Sequence, residues 1–184
     1  MKKIILFLSF ILIAGCSDLS QGERNTTVSA NIPDQESWDA EIVLTRTGQR
    51  QAIIKTRHLR KYNKQNIVLM DQGVTADFYD SLGHKTSRLT SEKARIIQST
   101  NDLYASNNVV VESDSGVVLY TDSLQWINET GMVSSDVPVK FITRQQDTLY
   151  GSKFRSNAQL ENWTIEKPEG VTSREMEKMI KDEE

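Results

Sequence analysis

Leu89-Thr90-Ser91-Glu92-Lys93-Ala94-Arg95 returns as Leu119-Tyr120-Thr121-Asp122-Ser123-Leu124-Gln125, and again as Leu149-Tyr150-Gly151-Ser152-Lys153-Phe154-Arg155. The leading leucines stand 30 residues apart each time. Each unit is a leucine, a small or aromatic residue, a small residue, two polar residues and then an apolar one. Weaker half-repeats, Leu103-Tyr104-Ala105-Ser106, Met132-Val133-Ser134-Ser135 and Leu160-Glu161-Asn162-Trp163, fall about midway. A fixed period of this length marks stacked supersecondary units, none of which buries its apolar face alone.

The units read as β. Val109-Val110-Val111, Val117-Val118-Leu119-Tyr120 and Val137 to Thr143 are short and rich in β-branched and aromatic residues. Turn clusters punctuate them: Thr100-Asn101-Asp102, Asn107-Asn108, Asp114-Ser115-Gly116, Asn128 to Gly131 and Arg144 to Asp147. Pro138 has no amide donor, which predicts an edge strand or a strand that begins there. Alternation predicts shared faces for Leu124 with Trp126, Val139 with Phe141, and Trp163 with Ile165. Upstream, strands are expected over Glu41–Thr45, Gln51–Thr56, Asn66–Met70 and Val74–Asp80, with a turn at Asp71-Gln72-Gly73. Short strands at regular spacing predict an all-β sandwich, roll or barrel.

The chain has 184 residues, enough for one domain, and a formal net charge of -3. Removing Lys2 and Lys3 with a signal segment leaves -5 (-3 minus 2). An acidic chain gives no global electrostatic reason to bind nucleic acid. Cys16 is the only cysteine, which excludes intrachain disulfides and thiolate zinc clusters. His58 and His84 are too far apart in sequence for metal-ligand spacing, and no metal or cofactor site is expected. No phosphate loop, nucleophile elbow or zinc-protease pattern is present. Asp71, Asp77, Asp80 and Asp122 could form an acid–base pair in principle, but they lie in or beside predicted turns, where Asp serves local hydrogen bonding. The chain is therefore not expected to be an enzyme. Arg57 to Lys64 is the one basic cluster. It is read as a charged edge or loop that blocks unwanted sheet pairing, in preference to a phosphate or acidic-partner site.

The N-terminus opens with Met1-Lys2-Lys3 and an apolar run from Ile4 to Ala14, far short of the roughly 20 residues a spanning helix needs. It ends in Ile13-Ala14-Gly15-Cys16, which resembles a bacterial lipobox, in preference to a secretory signal with an incidental cysteine. The lipobox implies cleavage before Cys16 and lipidation of that residue, and two or more acyl chains anchor a protein stably. The expected organisation is a signal peptide over 1–15, a flexible polar tether over 16–37, a β domain over 38–170, and a charged tail or short helix over 171–184, capped by Thr172 or Ser173.

With these residues in hand, the chain resembles the LptC family, the membrane-anchored periplasmic component of lipopolysaccharide export. The resemblance rests on the anchor before an all-β domain, on Asp71 to Asp80, on Leu103 to Val111, and on Leu119 to Leu124 with Leu149-Tyr150-Gly151. Many members keep a transmembrane helix where this chain has the lipobox. The resemblance implies an open β-jellyroll whose groove holds the acyl chains of lipid A. It implies partners at both ends: the inner-membrane Lpt ABC transporter and an LptA-like bridge protein, each joined by edge-strand pairing. ATP hydrolysis would belong to the transporter. The groove is expected to be lined by Ile54, Leu69, Phe78, Ile96, Leu103, Val109, Val111, Leu119, Leu124, Trp126, Phe141, Phe154 and Trp163. By the same analogy, Glu41, Val43 and Thr45 belong to the transporter-side edge strand, and Ala158, Leu160 and Asn162 to the bridge-side one. The expected place is the periplasmic face of the inner membrane. The rival is an outer-membrane structural or adapter lipoprotein, which Ser17 after the cysteine leaves open and which membrane fractionation separates.

Overall fold

The computed structural model describes residues 32–171. The Cys16 lipobox, most of the tether and the expected C-terminal helix lie outside the described residues. Thirteen antiparallel strands form a single sheet. They are β1 (Gln35–Arg46), β2 (Gln49–Tyr62), β3 (Ile67–Tyr79), β4 (Lys85–Ser91), β5 (Lys93–Ile97), β6 (Leu103–Ser113), β7 (Val118–Ile127), β8 (Met132–Ser135), β9 (Val139–Ile142), β10 (Thr148–Gly151), β11 (Lys153–Asn157), β12 (Thr164–Glu166) and β13 (Glu169–Val171). The chain is a meander in which β4–β5, β8–β9, β10–β11 and β12–β13 are each one pass with a break in it. The all-β, open jellyroll expectation holds. β1 starts at Gln35, so Gln35–Ser37, read with the tether, lie in the domain.

Every pass breaks along one line. The break falls at Asp39 (φ 50°), at Gln72 and Gly73 (φ 62° and 98°), at Asn107 and Asn108 (φ 65° and 51°), and at Lys167 (φ 50°). In β2 and β7 it falls where the ladder slips, at Arg57 and Asp122. In the interrupted passes it falls at Glu92, Asp136–Pro138 and Ser152. Asp71-Gln72-Gly73 and Asn107-Asn108 are therefore bulges inside β3 and β6, not chain reversals. Asn, Gln and Gly supply left-handed backbone equally to a turn and to a bulge, so composition does not separate the two. Pro138 precedes β9, fitting the second of its two readings.

The line is a fold. Trp126 pairs with Leu103, Leu103 with Ile96, and Ile96 with Val68. On a flat sheet Val68 and Phe78 would stand roughly 33 Å apart along β3. The Phe78 and Trp126 rings are 5.2 Å apart. The sheet is thus doubled over into two leaves. Leaf A holds the C-terminal parts of β1, β3 and β6, the N-terminal parts of β2 and β7, and β4, β9, β10 and β13. Leaf B holds the remainder.

Buried hydroxyls secure the spine. Thr56 Oγ1 donates to the His58 and Asp71 carbonyls at 3.1 and 3.0 Å. Ser91 Oγ donates to the Lys93 carbonyl, and Ser135 Oγ to that of Val137. Thr121 Oγ1 reaches the Ser123 and Pro138 carbonyls. Each satisfies a carbonyl that the broken ladder releases. The 30-residue repeat is now explained: its leucine packs in leaf A, its third residue sits at the spine, and Ala94, Leu124 or Phe154 packs in leaf B. In the last unit that third residue is Gly151, whose added Cβ would stand 2.0 Å from Ile165 Cγ2.

Candidate functional site

The space between the leaves is where the expected groove residues converge. Ile54, Phe78, Ile96, Leu103, Val109, Val111, Leu119, Leu124, Trp126, Phe141 and Phe154 are all buried in one cluster. Period two brings them there from both leaves, because each bulge resets the alternation at the spine. Rings meet across the gap: Phe78 with Trp126 at 5.2 Å and Phe141 with Phe154 at 5.3 Å.

Two expected lining residues stand elsewhere. Leu69 is on the outer face of leaf B, because its neighbours Val68 and Met70 take the inner positions. Trp163 is 39% exposed and lies before β12, outside the strand that buries Ile165, and its ring meets that of Phe141 at 4.8 Å at the margin of the cluster.

The side opposite the spine is a mouth, closed by few bonds. Arg46 Nη1 donates to the Asn128 and Glu129 carbonyls at 3.0 and 2.6 Å. Ser87 Oγ donates to the Ala158 carbonyl at 2.6 Å, and Ser113 Oγ to that of Gln159 at 2.8 Å. A recess of about 320 Å³ opens here between Arg46, Gln49, Asp80, Asn157 and Gln159, and its lining includes Phe78 and Trp126. Trp126 Nε1 and Asn128 Oδ1 are buried without a hydrogen-bond partner. Buried side chains of both leaves thus pack against each other in the interior, and this recess opens toward them at the mouth. No feature of the sequence marked Arg46 for this role, since its acceptors lie more than 80 residues away.

The sheet ends in free edges. Among the described residues β1 pairs only with β2, and Glu41, Val43 and Thr45 stand exposed on it. The leaf B part of β1 is held by a charged clasp. Glu36 Oε1 lies 2.7 Å from His58 Nε2, Asp71 Oδ1 lies 2.8 Å from His58 Nδ1, and Arg60 Nη2 donates to Asp71 Oδ2 at 2.7 Å. Trp38 stacks on the His58 ring at 5.6 Å. Hydrogen bonds first from Glu36 and then from Asp71 raise the His58 pKa above 6.5. His58 and Arg60 hold that of Asp71 below its ordinary value, against the opposing effect of burial. The basic stretch from Arg57 is thus neither edge nor loop, since through Tyr62 it is an inner strand between β1 and β3.

At the other end the free strands are β12 and β13. Ala158, Leu160 and Asn162 are not on an edge strand. They form a turn that Asn157 Oδ1 organises by accepting from the Glu161 and Asn162 amides. Leu160 adopts φ 58° and is buried with Ala158. Among the described residues no helix is long and apolar enough to cross a membrane, and no group of three metal-ligating side chains gathers.

Residues 4–167 match the family model described as Lipopolysaccharide-assembly, LptC-related. A search of curated proteins gave no match. The family's members are accessory components of lipopolysaccharide transport, periplasmic and associated with the inner membrane. The chain belongs to that family, and its role lies in lipopolysaccharide export with the Lpt transporter system.

Proposed function

We propose that this LptC-family chain receives lipopolysaccharide from the inner-membrane transporter, holds its lipid A acyl chains between the two leaves and passes them to an LptA-like bridge protein. The observation that carries the reading is the doubled sheet. Its leaves are continuous at the spine, while the described polar bonds across the mouth come from Arg46, Ser87 and Ser113. A book bound on one side and lightly latched on the other opens without breaking its ladders. Acyl chains would replace the apolar contacts that parting removes. A twelve-carbon chain buries about 10 kcal/mol of transfer free energy at roughly 0.8 kcal/mol per methylene. An ester carbonyl near Trp126 would give its unpartnered indole N–H an acceptor.

In this reading the eleven buried groove residues meet the acyl chains. Leu69 and Trp163 drop out of the lining. β1, through Glu41, Val43 and Thr45, pairs with the transporter, and the bridge protein pairs at β12 instead of at the turn holding Ala158, Leu160 and Asn162. Cys16 carries the lipid and the segment before Gln35 is the tether. A photoreactive residue at Trp126 or Phe141 should crosslink lipopolysaccharide in cells, and one at the outward Arg88 or Glu112 of leaf A should not. Equal labelling from both faces, or labelling from the outer face alone, overturns the reading.

A further inference from the structure

The outer faces of the two leaves differ in charge. On leaf A ion pairs join Lys55 with Glu41, and Arg88 and Lys85 with Asp77, while one outward cation, Lys140, lies over the Tyr120 ring at 5.5 Å near the outward carboxylate Glu112 of the same leaf. On leaf B a single cross-strand row runs Arg60, Leu69, Arg95, Tyr104, Gln125, Ser134, Arg155. Lys93 stands beside it, in register with Ser106. The carboxylates of this face are already engaged. Glu36 and Asp71 serve His58 and Arg60, and Glu166 serves Lys153. Lys93, Arg95 and Arg155 form no ion pair among the described residues. Arg95 instead lies over the Tyr104 ring at 4.6 Å, and Gln125 donates to the Tyr104 hydroxyl.

We propose that the outer face of leaf B docks on anionic phospholipid headgroups, laying the domain against the membrane. Shape and charge together select this occupant. At about 4.8 Å per strand the part of the row from Arg95 to Arg155, which holds its unpaired cations, is about 19 Å long. Cations spread over that span on a sheet face fit an extended anionic plane better than one phosphate group. Tyr104 and the exposed part of Leu69 add the amphipathic surface that suits a headgroup layer. The chain also enters the domain through leaf B, at Gln35 of β1. In the anchored reading the lipid on Cys16 is only 19 residues (35 minus 16) from Gln35, so an anchored domain keeps this face near the bilayer. The inference uses the anchored reading only for this nearness; the face itself owes nothing to it.

The test uses the mature chain from residue 17, without its lipid, and vesicles of phosphatidylglycerol in phosphatidylcholine against phosphatidylcholine alone. Wild type should sediment with the anionic vesicles and be released by salt. Each cation near such a surface contributes roughly a fivefold factor in binding. Arg95→Glu with Arg155→Glu should therefore lower the partition more than about 25-fold. Lys140→Glu on leaf A, also charge-reversing, should leave it within about twofold, and circular dichroism verifies that each variant is folded. Equal losses in both variants, or no preference for anionic vesicles, overturn the proposal, as does capture by an acidic protein or a phosphorylated saccharide in place of vesicles. In-cell crosslinking of lipopolysaccharide from Trp126 reads the export role separately. Loss of that signal with vesicle binding intact counts against the groove and not against this face.

Discussion

The two ends of the sheet are built to different standards. At one end β1 and β2 are strands of 12 and 14 residues, each continuing as one strand through its irregularity at the spine. At the other, β12 and β13 are 3 residues each, separated at the spine. A long edge offers many backbone donors and acceptors in register, and a short one offers few. The N-terminal edge is also clasped by ions, whereas the C-terminal end leans on aromatic contact of the part-exposed Trp163 with Phe141. Under the proposed function the contrast suits a lasting attachment at β1 and a brief one at β12. It also means that the C-terminal end depends more on packing and the N-terminal end more on pH.

The largest effect is expected where packing alone holds the short end. Phe141 touches both Phe154 and Trp163, so Phe141→Ala should cost about 3–5 kcal/mol, read as a shifted urea midpoint. A loss under about 1 kcal/mol would show that the C-terminal end is not packed through this ring. Gly151→Ala tests the same end through overpacking. With its Cβ driven toward Ile165, about 1–3 kcal/mol should go, and proteolysis should begin near β12. At the spine, Thr121→Val leaves the Ser123 and Pro138 carbonyls without their donor, for about 1–3 kcal/mol.

The clasp sharpens the other half of the comparison. The raised pKa of His58 means that its contribution is whole below about pH 6.5 and is lost as pH climbs through the higher folded value. The lowered pKa of Asp71 acts oppositely, present above about pH 3.8 and lost as pH falls through its folded value. Amide exchange in β1 should therefore quicken, beyond the intrinsic pH effect, as His58 deprotonates. Neutral His58 donates one hydrogen bond where the cation donates two. His58→Gln should flatten this response, with β12 exchange as the internal control. The smallest effect belongs to the exposed pair on β1: Glu41→Ala should change stability by no more than about 0.5 kcal/mol.

The alternation visible in Leu124-Gln125-Trp126 and Val139-Lys140-Phe141 is enough to place Leu124, Trp126, Val139 and Phe141 inside, and the 30-residue period marks every second crossing of the spine. Val68-Leu69-Met70 is a continuous apolar run with no visible alternation, so the sequence does not show that Leu69 faces outward. The Gln72-Gly73 and Asn107-Asn108 pairs were indistinguishable from reversals because local dihedral preference does not report which way the chain leaves. The Leu160 turn was hidden for a related reason: an apolar residue at φ 58° is tolerated only because tertiary packing holds it. Arg46 and the Glu36–His58–Asp71 clasp depend on contacts between distant strands, and no short pattern carries that information.

The central claim is that the leaves part at the mouth to admit acyl chains. Ser113→Cys with Gln159→Cys, joined by a short cleavable thiol-reactive bridge, would lock the two sides where Ser113 Oγ now meets the Gln159 carbonyl at 2.8 Å. The locked protein should lose lipopolysaccharide crosslinking from Trp126 and regain it when the bridge is cleaved. Undiminished crosslinking in the locked protein would contradict the account.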